Sequence, residues 1–422
     1  MEADDILEPL LKSFQNGFKH PIARLICAQQ DTLECRLEED ERNVKPVEIL
    51  KQLIEFPTYQ VTLDKVEKGM KECAHYLSDQ LEALGFQVKT DELFNVTAER
   101  AFDGKKIFLM NTHFDTVPPA SEWTDALIPK QEGNKLIGLG ASDAKGGIAA
   151  TLAALSRLDN CRFAKLIVQF VNYEDNGIQL GGKRLLGMPY FLSNNPGLRA
   201  DYGLNIEPTV RDDKWAVNLG CTGRVSFTVT TVGREAHSST PYKGKNAIYD
   251  MVKVIAALRQ IPPGKFSMGD FEGEMPVNVA LIEGGRAVNI VPGECKITCE
   301  RRILPNEEPE QIMQTIRSAL GSLRDVNVKC EFNPNVQLPY IVDKEEEVAK
   351  LAVEASESVT GYRPQLRIGL GRTDSMYLYH MAGIKTAIMG PGHTGHVVGE
   401  DISIDRLNEF TGILENMLRK DA

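Results

Sequence analysis

Residues 106–119 read KIFLMNTHFDTVPP, an apolar run that ends in His-x-Asp and then a double proline. Apolar residues on consecutive positions, stopped by a breaker, predict a strand buried on both faces. The segments that follow continue the pattern: AKGGIAATLAALSRL (144–158) predicts a helix and AKLIVQFVNY (164–173) a second buried strand. Upstream, VEILKQLIEF (47–56) and VEKGMKECAHYLSDQLEALGF (66–86) repeat apolar positions at helical spacing and stop at Pro57 and Gly85, while FQVKTDELF (86–94) reads as a strand. Helices and strands alternating in this way predict an α/β fold, three layers deep, around a mostly parallel sheet.

The order of elements changes after Glu207. RVSFTVTTVG (224–233), NAIYDMVKVIAALRQI (246–261), VNVALIEGG (277–285), GECKITCERRI (293–303), EPEQIMQTIRSALGSL (308–323) and VNVKCEF (326–332) read strand, helix, strand, strand, helix, strand. That order predicts an α+β sandwich, one antiparallel sheet with two helices on one face, inserted into the first fold. VAKLAVEASESVTG (348–361) and KTAIMG (385–390) then return to helix and strand before a last helix. The expected domains are residues 44–217 with 335–422, interrupted by an insertion over 218–334. The first 43 residues form an extension of unassigned role, a helical-looking stretch followed by the exposed charged connector LEEDERN (37–43).

Composition narrows the function. The chain has 422 residues, 42% apolar and 25% charged, enough for a full core in more than one domain. Its formal charge of −11 argues against neutralising phosphate backbones or anionic lipid, so neither nucleic acid nor a membrane surface is an expected partner. No window approaches the roughly 18 uncharged apolar residues that a membrane span needs. The opening MEADDILEPLL is acidic where a signal peptide is basic, so a cytoplasmic location is expected. The eight cysteines (27, 35, 73, 161, 221, 295, 299 and 330) include no C-x-x-C pair and read as reduced, mostly buried thiols.

Chemistry-bearing residues recur where apolar strands end. His113 and Asp115 close the first strand, where open α/β sheets hold their ligands, and alternate residues of an extended chain point the same way. Asp143 follows in the small-residue string GLGASDAKGG (138–147), Glu174 and Asp175 close the next strand, and Glu207 closes LNIE (204–207). These positions recur about every thirty residues, and His396 follows the strand KTAIMG. Two histidines with three carboxylates suit two borderline divalent ions, zinc before cobalt or manganese, each with a position left open. A pair of ions about 4 Å apart polarises a carbonyl and acidifies a shared water, which points to hydrolysis.

Read in order, THFDTVP, GLGASDAKGG, NYEDNG, IEPT, GREAHSSTP, NIVPGE and GPG...HVVGE resemble the motifs of the di-zinc amidohydrolase and peptidase family of acetylornithine deacetylase, succinyl-diaminopimelate desuccinylase, aminoacylase and glutamate carboxypeptidase. The resemblance runs from about Val44 to the C-terminus. It implies that Asp143 bridges two metals, with His113 and Glu207 completing one site and Asp175 and His396 the other. Glu174 is then the general base, and Asp115 orients His113. His237 looks like the family's lid histidine, which donates to the tetrahedral oxyanion in the partner subunit's site and so implies a homodimer through the inserted domain. Asn289 and Arg302 match substrate-binding positions, Arg302 with the geometry to grip an α-carboxylate. Thr373 and Asp374 in GRTDS (371–375) fall in a segment that lines the substrate pocket in relatives.

The chain departs from the family at points that bear on the site. Glu174-Asp175 stands where the family has Glu-Glu, Gly138-Leu139-Gly140 where it has Gly-Arg-Gly, and Arg301 neighbours Arg302; His393 competes with His396 as a ligand, and His396 is preferred because Glu400 follows it at the family spacing. The expected activity is metal-dependent hydrolysis of the amide of an N-acyl amino acid. A metallo-carboxypeptidase acting on dipeptides or acylated glutamate is the enzymatic alternative, and a non-catalytic binding module on the same scaffold is the remaining one.

Overall fold

The computed structural model describes residues 44–59, 63–175, 178–180, 183–268 and 271–420. The helical stretch and charged connector expected in the first 43 residues, with Cys27 and Cys35, lie outside the described residues.

The apolar run before His113 forms the strand Ile107–His113, buried from Phe108 onward. It pairs in parallel with Lys165–Val171 on one side and Tyr202–Asn205 on the other, and Tyr202–Asn205 pairs in parallel with Lys385–Ile388. These four form the centre of a nine-stranded sheet whose outer strands add both parallel and antiparallel pairings. Alternate residues separate into two apolar cores, as a strand buried on both faces requires. Phe108, Met110, Leu166, Val168 and Phe170 pack under the helices Pro46–Glu55, Leu63–Ala83, Lys145–Ser156, Glu347–Thr360 and Ile404–Leu418. Leu109, Ile167 and Val171 pack against Gly187–Asn194 and Ser375–Ala382 on the opposite face. The fold is the expected α/β arrangement of three layers.

Local chemistry explains the element ends. The Leu63–Ala83 helix stops where Gly85 takes φ +80, a left-handed conformation that costs a glycine little. The Lys145–Ser156 helix is apolar all round because it is buried from Lys145 to Leu155. FQVKTDELF is only partly a strand: Gln87–Thr90 pairs with Val96–Ala101, a strand the sequence reading did not anticipate, and Asp91 ties the intervening turn through its carboxylate.

A separate, second sheet with its helices follows the expected order. Strands Asn278–Gly284, Glu294–Ile303, Gly223–Val232 and Val328–Phe332 form an antiparallel sheet in that spatial order. Helices Ala247–Arg259 and Pro309–Gly321 pack on it around Val225, Phe227, Val229, Met251, Val254, Ile297 and Ile316. A hairpin, Gly264–Met268 with Phe271–Met275, is an addition that the sequence reading lacked.

Candidate metal centre

The carboxyl ends of the central strands converge. His113 is 1% exposed; its Nδ1 donates to the Asp115 carbonyl at 2.9 Å, and its Nε2 lies 3.1 Å from Asp143 Oδ1 and 3.6 Å from Glu207 Oε2. With one ring nitrogen committed to a carbonyl, the other faces two carboxylates, an arrangement that calls for a cation between them. One ligand atom each from His113, Asp143 and Glu207 lie within 4.8 Å of one another. A second group shares Asp143: His396 Nε2 is 3.1 Å from Asp175 Oδ1 and 3.8 Å from Asp143 Oδ2. Donation to the Asp175 carboxylate, against partial burial, lifts the His396 ring to about 9.

Supporting residues hold this cluster from beneath. The Asp115 carboxylate accepts the backbone N–H groups of Glu174 and Asp175 at 3.0 and 3.1 Å, and lies 3.5 Å from His113 Nδ1. Asp115 therefore grips the acidic pair as well as orienting the histidine. Glu400, 3% exposed, accepts from the backbone of Ser142, Asp143 and Gly140, fixing the loop that carries Asp143; burial pushes its carboxyl up to about 7. A Cβ on Gly395 would lie 2.4 Å from Asp143 Oδ2, so only glycine lets the His396 loop pass this close. The backbone of His393 ties the same loop down, its N–H donating to Ser142 Oγ and its carbonyl accepting from Arg211. His396 is the histidine that faces the carboxylates.

The donor set fits divalent cations. Among the described residues, Glu174 Oε1, Asp175 Oδ2, Glu207 Oε1 and both Asp374 oxygens are buried without a hydrogen-bond partner. Buried carboxylates left unpaired are costly, and a cation among them removes that cost. Burial drives Glu174 well above the usual carboxylate range and Asp374 up to about 7.

Two contacts escaped the sequence reading. Arg372 donates through Nη2 to the Glu174 carbonyl and, at 3.1 Å, to Glu174 Oε2. The string GRTDS was visible, but the arginine's partner lies far away in sequence. Lys145 is buried under the cluster, its Nζ donating to the Phe56 carbonyl at 2.9 Å, and burial lowers it to about 8.

The remaining expected residues lie apart from the cluster or at its edge. Thr373 is half-buried, its hydroxyl paired with Ser375, and Asp374 is buried beside Arg372. His237 and Asn289 are exposed in loops that follow strands of the second sheet: His237 Nδ1 bonds the Ser239 hydroxyl at 2.8 Å, and the Asn289 carbonyl accepts from Ser238. Arg302 pairs with Glu300 at 3.0 Å. Arg301 is 4% exposed and bound bidentately to Glu307, which leaves Arg302 as the more accessible of the two.

A profile of peptidase family M20/M25/M40 matches residues 109–420. The chain belongs to this family. Among M20 relatives, an acetylornithine deacetylase from Myxococcus xanthus is 28% identical, covering 80% of this chain and 89% of its own length. A succinyl-diaminopimelate desuccinylase from Pelagibacter ubique is 22% identical, covering 88% and 98%. Among solved structures, an M20 family metallo-carboxypeptidase from Sulfolobus solfataricus superposes with a TM-score of 0.71 at 19% identity, over 89% of this chain and 98% of that one. This M20 chain is an amide-bond hydrolase of a metal-dependent family.

Proposed function

We propose that this M20 hydrolase cleaves N-acyl amino acids, releasing a carboxylate and a free amino acid, with two zinc ions held by His113, Asp143, Glu207, Asp175 and His396. The observation that carries this reading is the pair of histidine–carboxylate groups that share Asp143, ringed by unpartnered carboxylate oxygens. The ions, when bound, supply Lewis acidity to the scissile carbonyl and to water. Glu174 takes up a proton from the attacking water and returns it to the leaving nitrogen, a role suited to a buried carboxyl whose affinity for protons is high. Asp115 and Glu400 keep the ligand loops in place. The deacetylase and desuccinylase names of the relatives support the acyl amino acid class.

Residues 218–334 act in this reading as an inserted lid and dimerisation domain. The edge strand Asn278–Gly284 is unpaired on its outer side among the described residues and exposes Leu281 and Ile282, while the neighbouring helix exposes Tyr249 and Val252. An open apolar edge favours a two-fold pairing with a second copy. Such a dimer brings His237 to the partner's centre as an oxyanion donor, and Asn289 and Arg302 to the substrate; Thr373 and Asp374 line the pocket from the catalytic side. The six described cysteines are free, in keeping with a cytoplasmic location. No described helix is long and apolar enough to cross a membrane.

The test is amine release from N-acetyl, N-succinyl and N-formyl amino acids and simple dipeptides, with zinc or cobalt and a chelator control. Chelator-sensitive release from one acyl class is the expected result. Release from dipeptides alone would replace deacylation with carboxypeptidase action.

A further inference from the structure

The turn that carries the reactive carboxylate is held from outside. Tyr173 takes φ +61, a left-handed conformation that is unfavourable for a non-glycine residue and persists only where neighbours enforce it. Three neighbours do so. Asn172 Oδ1 accepts the Tyr173 N–H, Asp115 accepts the N–H groups of Glu174 and Asp175, and Arg372 takes the opposite side of the same turn. Arg372 is the only one of the three that also touches the Glu174 side chain: Nη2 bonds both the carbonyl and Oε2. It comes from the loop between the strand Gln365–Gly369 and the helix Ser375–Ala382, so it links the acidic turn to a different part of the fold.

This contact leaves the Glu174 carboxylate divided. Oε2 is engaged by Arg372, while Oε1 is buried and has no hydrogen-bond partner among the described residues. A guanidinium is planar and rigid, and one nitrogen bonding a carbonyl and a carboxylate of the same residue fixes side-chain torsion as well as position. Lysine, with a flexible stem and a point charge, does not reproduce that restraint.

We propose that Arg372 is a positioning residue that aims Glu174 Oε1 at the reacting water by holding Oε2 and the Glu174 carbonyl together. The proposal rests on Glu174 being the base. On this proposal Arg372 acts on the reaction only through Glu174.

The experiment compares Arg372→Ala, Arg372→Lys, Glu174→Ala and the double variant Arg372→Ala/Glu174→Ala as the metal-loaded full chain, with folding checked by thermal melting. Arg372→Ala is expected to lower kcat about 10- to 100-fold, the usual cost of losing a supporting contact, with KM within about threefold of wild type. Added guanidinium is expected to restore part of kcat in Arg372→Ala and none in Glu174→Ala. In the Glu174→Ala background, removing Arg372 is expected to cost less than about twofold more, since residues that act as a unit are not additive. Co(II) absorption spectra of wild type and Arg372→Ala are expected to coincide, because no ligand changes. Arg372→Lys is the fallback if the alanine variant does not fold, and is expected to lose most of kcat likewise.

A kcat within twofold of wild type, a loss confined to KM, full additivity with Glu174→Ala, or a changed Co(II) spectrum would each overturn the proposal. If wild type hydrolyses no member of the panel, the functional reading fails on its own. Arg372 is then judged by crystal structures of wild type and Arg372→Ala: a displaced Glu174 carboxylate supports the clamp, and an unmoved one overturns it.

Discussion

In the proposed function the ends of the central strands and the loops that follow two strands of the second sheet carry different halves of the chemistry, and they are built in opposite ways. At the strand ends His113, Asp115, Glu174 and Glu207 are all less than a tenth exposed; Asp115 and Arg372 hold the Glu174 backbone, and Glu400 holds the loop that carries Asp143. In those loops His237 and Asn289 are exposed, His237 bonding the Ser239 hydroxyl and the Asn289 carbonyl accepting from Ser238. Groups that hold charge in place gain from a rigid, dry setting, since each fixed dipole is worth more where water is excluded. Groups that must meet the substrate after it enters cannot be prebuilt around it. In the proposed function the difference separates a finished half of the site from a half that closure and a partner would complete.

The comparison breaks most easily at the finished half. Glu174→Gln keeps the size of the side chain and removes the proton acceptor, so kcat is expected to fall about a thousandfold with two metals still bound, measured by amine release and metal analysis. Near wild-type turnover would show that proton transfer lies elsewhere.

His237→Ala tests the other half. The residue is exposed, so stability is expected to be unchanged while kcat drops about a hundredfold, the usual cost of one oxyanion donor. Mixing this variant with Glu174→Gln sharpens the point. In a randomly reassorted equal mixture half of the dimers are mixed, and each has one intact centre served by an intact partner histidine, so about a quarter of wild-type activity is expected to return. No return would mean that His237 serves its own subunit or none.

Asp115→Asn is expected to cost about tenfold in kcat, because the amide can accept only one of the two N–H groups that the carboxylate now holds. Its amide nitrogen would face the other N–H as a second donor. Metal affinity is expected to weaken in parallel, read by competition with a chelator.

The same contrast decides what could be read from the chain alone. His113, Asp175 and Glu207 stood out because they close apolar runs, and Asp143 and His396 because they sit in glycine-rich loops at a similar place in the pattern. His396 could be preferred over His393 by spacing to Glu400, and the structure turns His396 toward Asp175. Arg372 and the grip of Glu400 on Gly140, Ser142 and Asp143 were illegible, since a hydrogen bond between distant segments leaves no local pattern. The strand Val96–Ala101 was missed for a different reason: VTAERA is short and half polar, and its ladder with Lys165–Val171 supplies the order that its composition does not announce.

The smallest expected effect concerns protons in the metal-free protein. Burial raises Glu174, Asp175 and Glu207 and brings Glu400 and Asp374 to about 7, while neighbouring carboxylates raise His113 despite its burial and Asp175 lifts His396 to about 9. Asp143 moves the other way: burial opposes it, but His113 holds it below its usual range. A group that binds its proton more tightly when folded contributes stability that is present below its unfolded value and lost as pH rises through its folded one. For Glu400 and Asp374 that window runs from about 4 to about 7, and for His396 from about 6.5 to about 9. The chelated protein is therefore expected to melt several degrees lower at pH 8 than at pH 5. Metal binding displaces the same protons and strengthens as pH rises, so the loaded protein is expected to lose little or gain over that range. Melting curves with and without chelator from pH 5 to 8.5 make the comparison. A chelated protein whose Tm stayed level or rose would mean that these carboxylates find other partners when the metal is gone, and that the rigid half of the site is less fixed than its hydrogen bonds indicate.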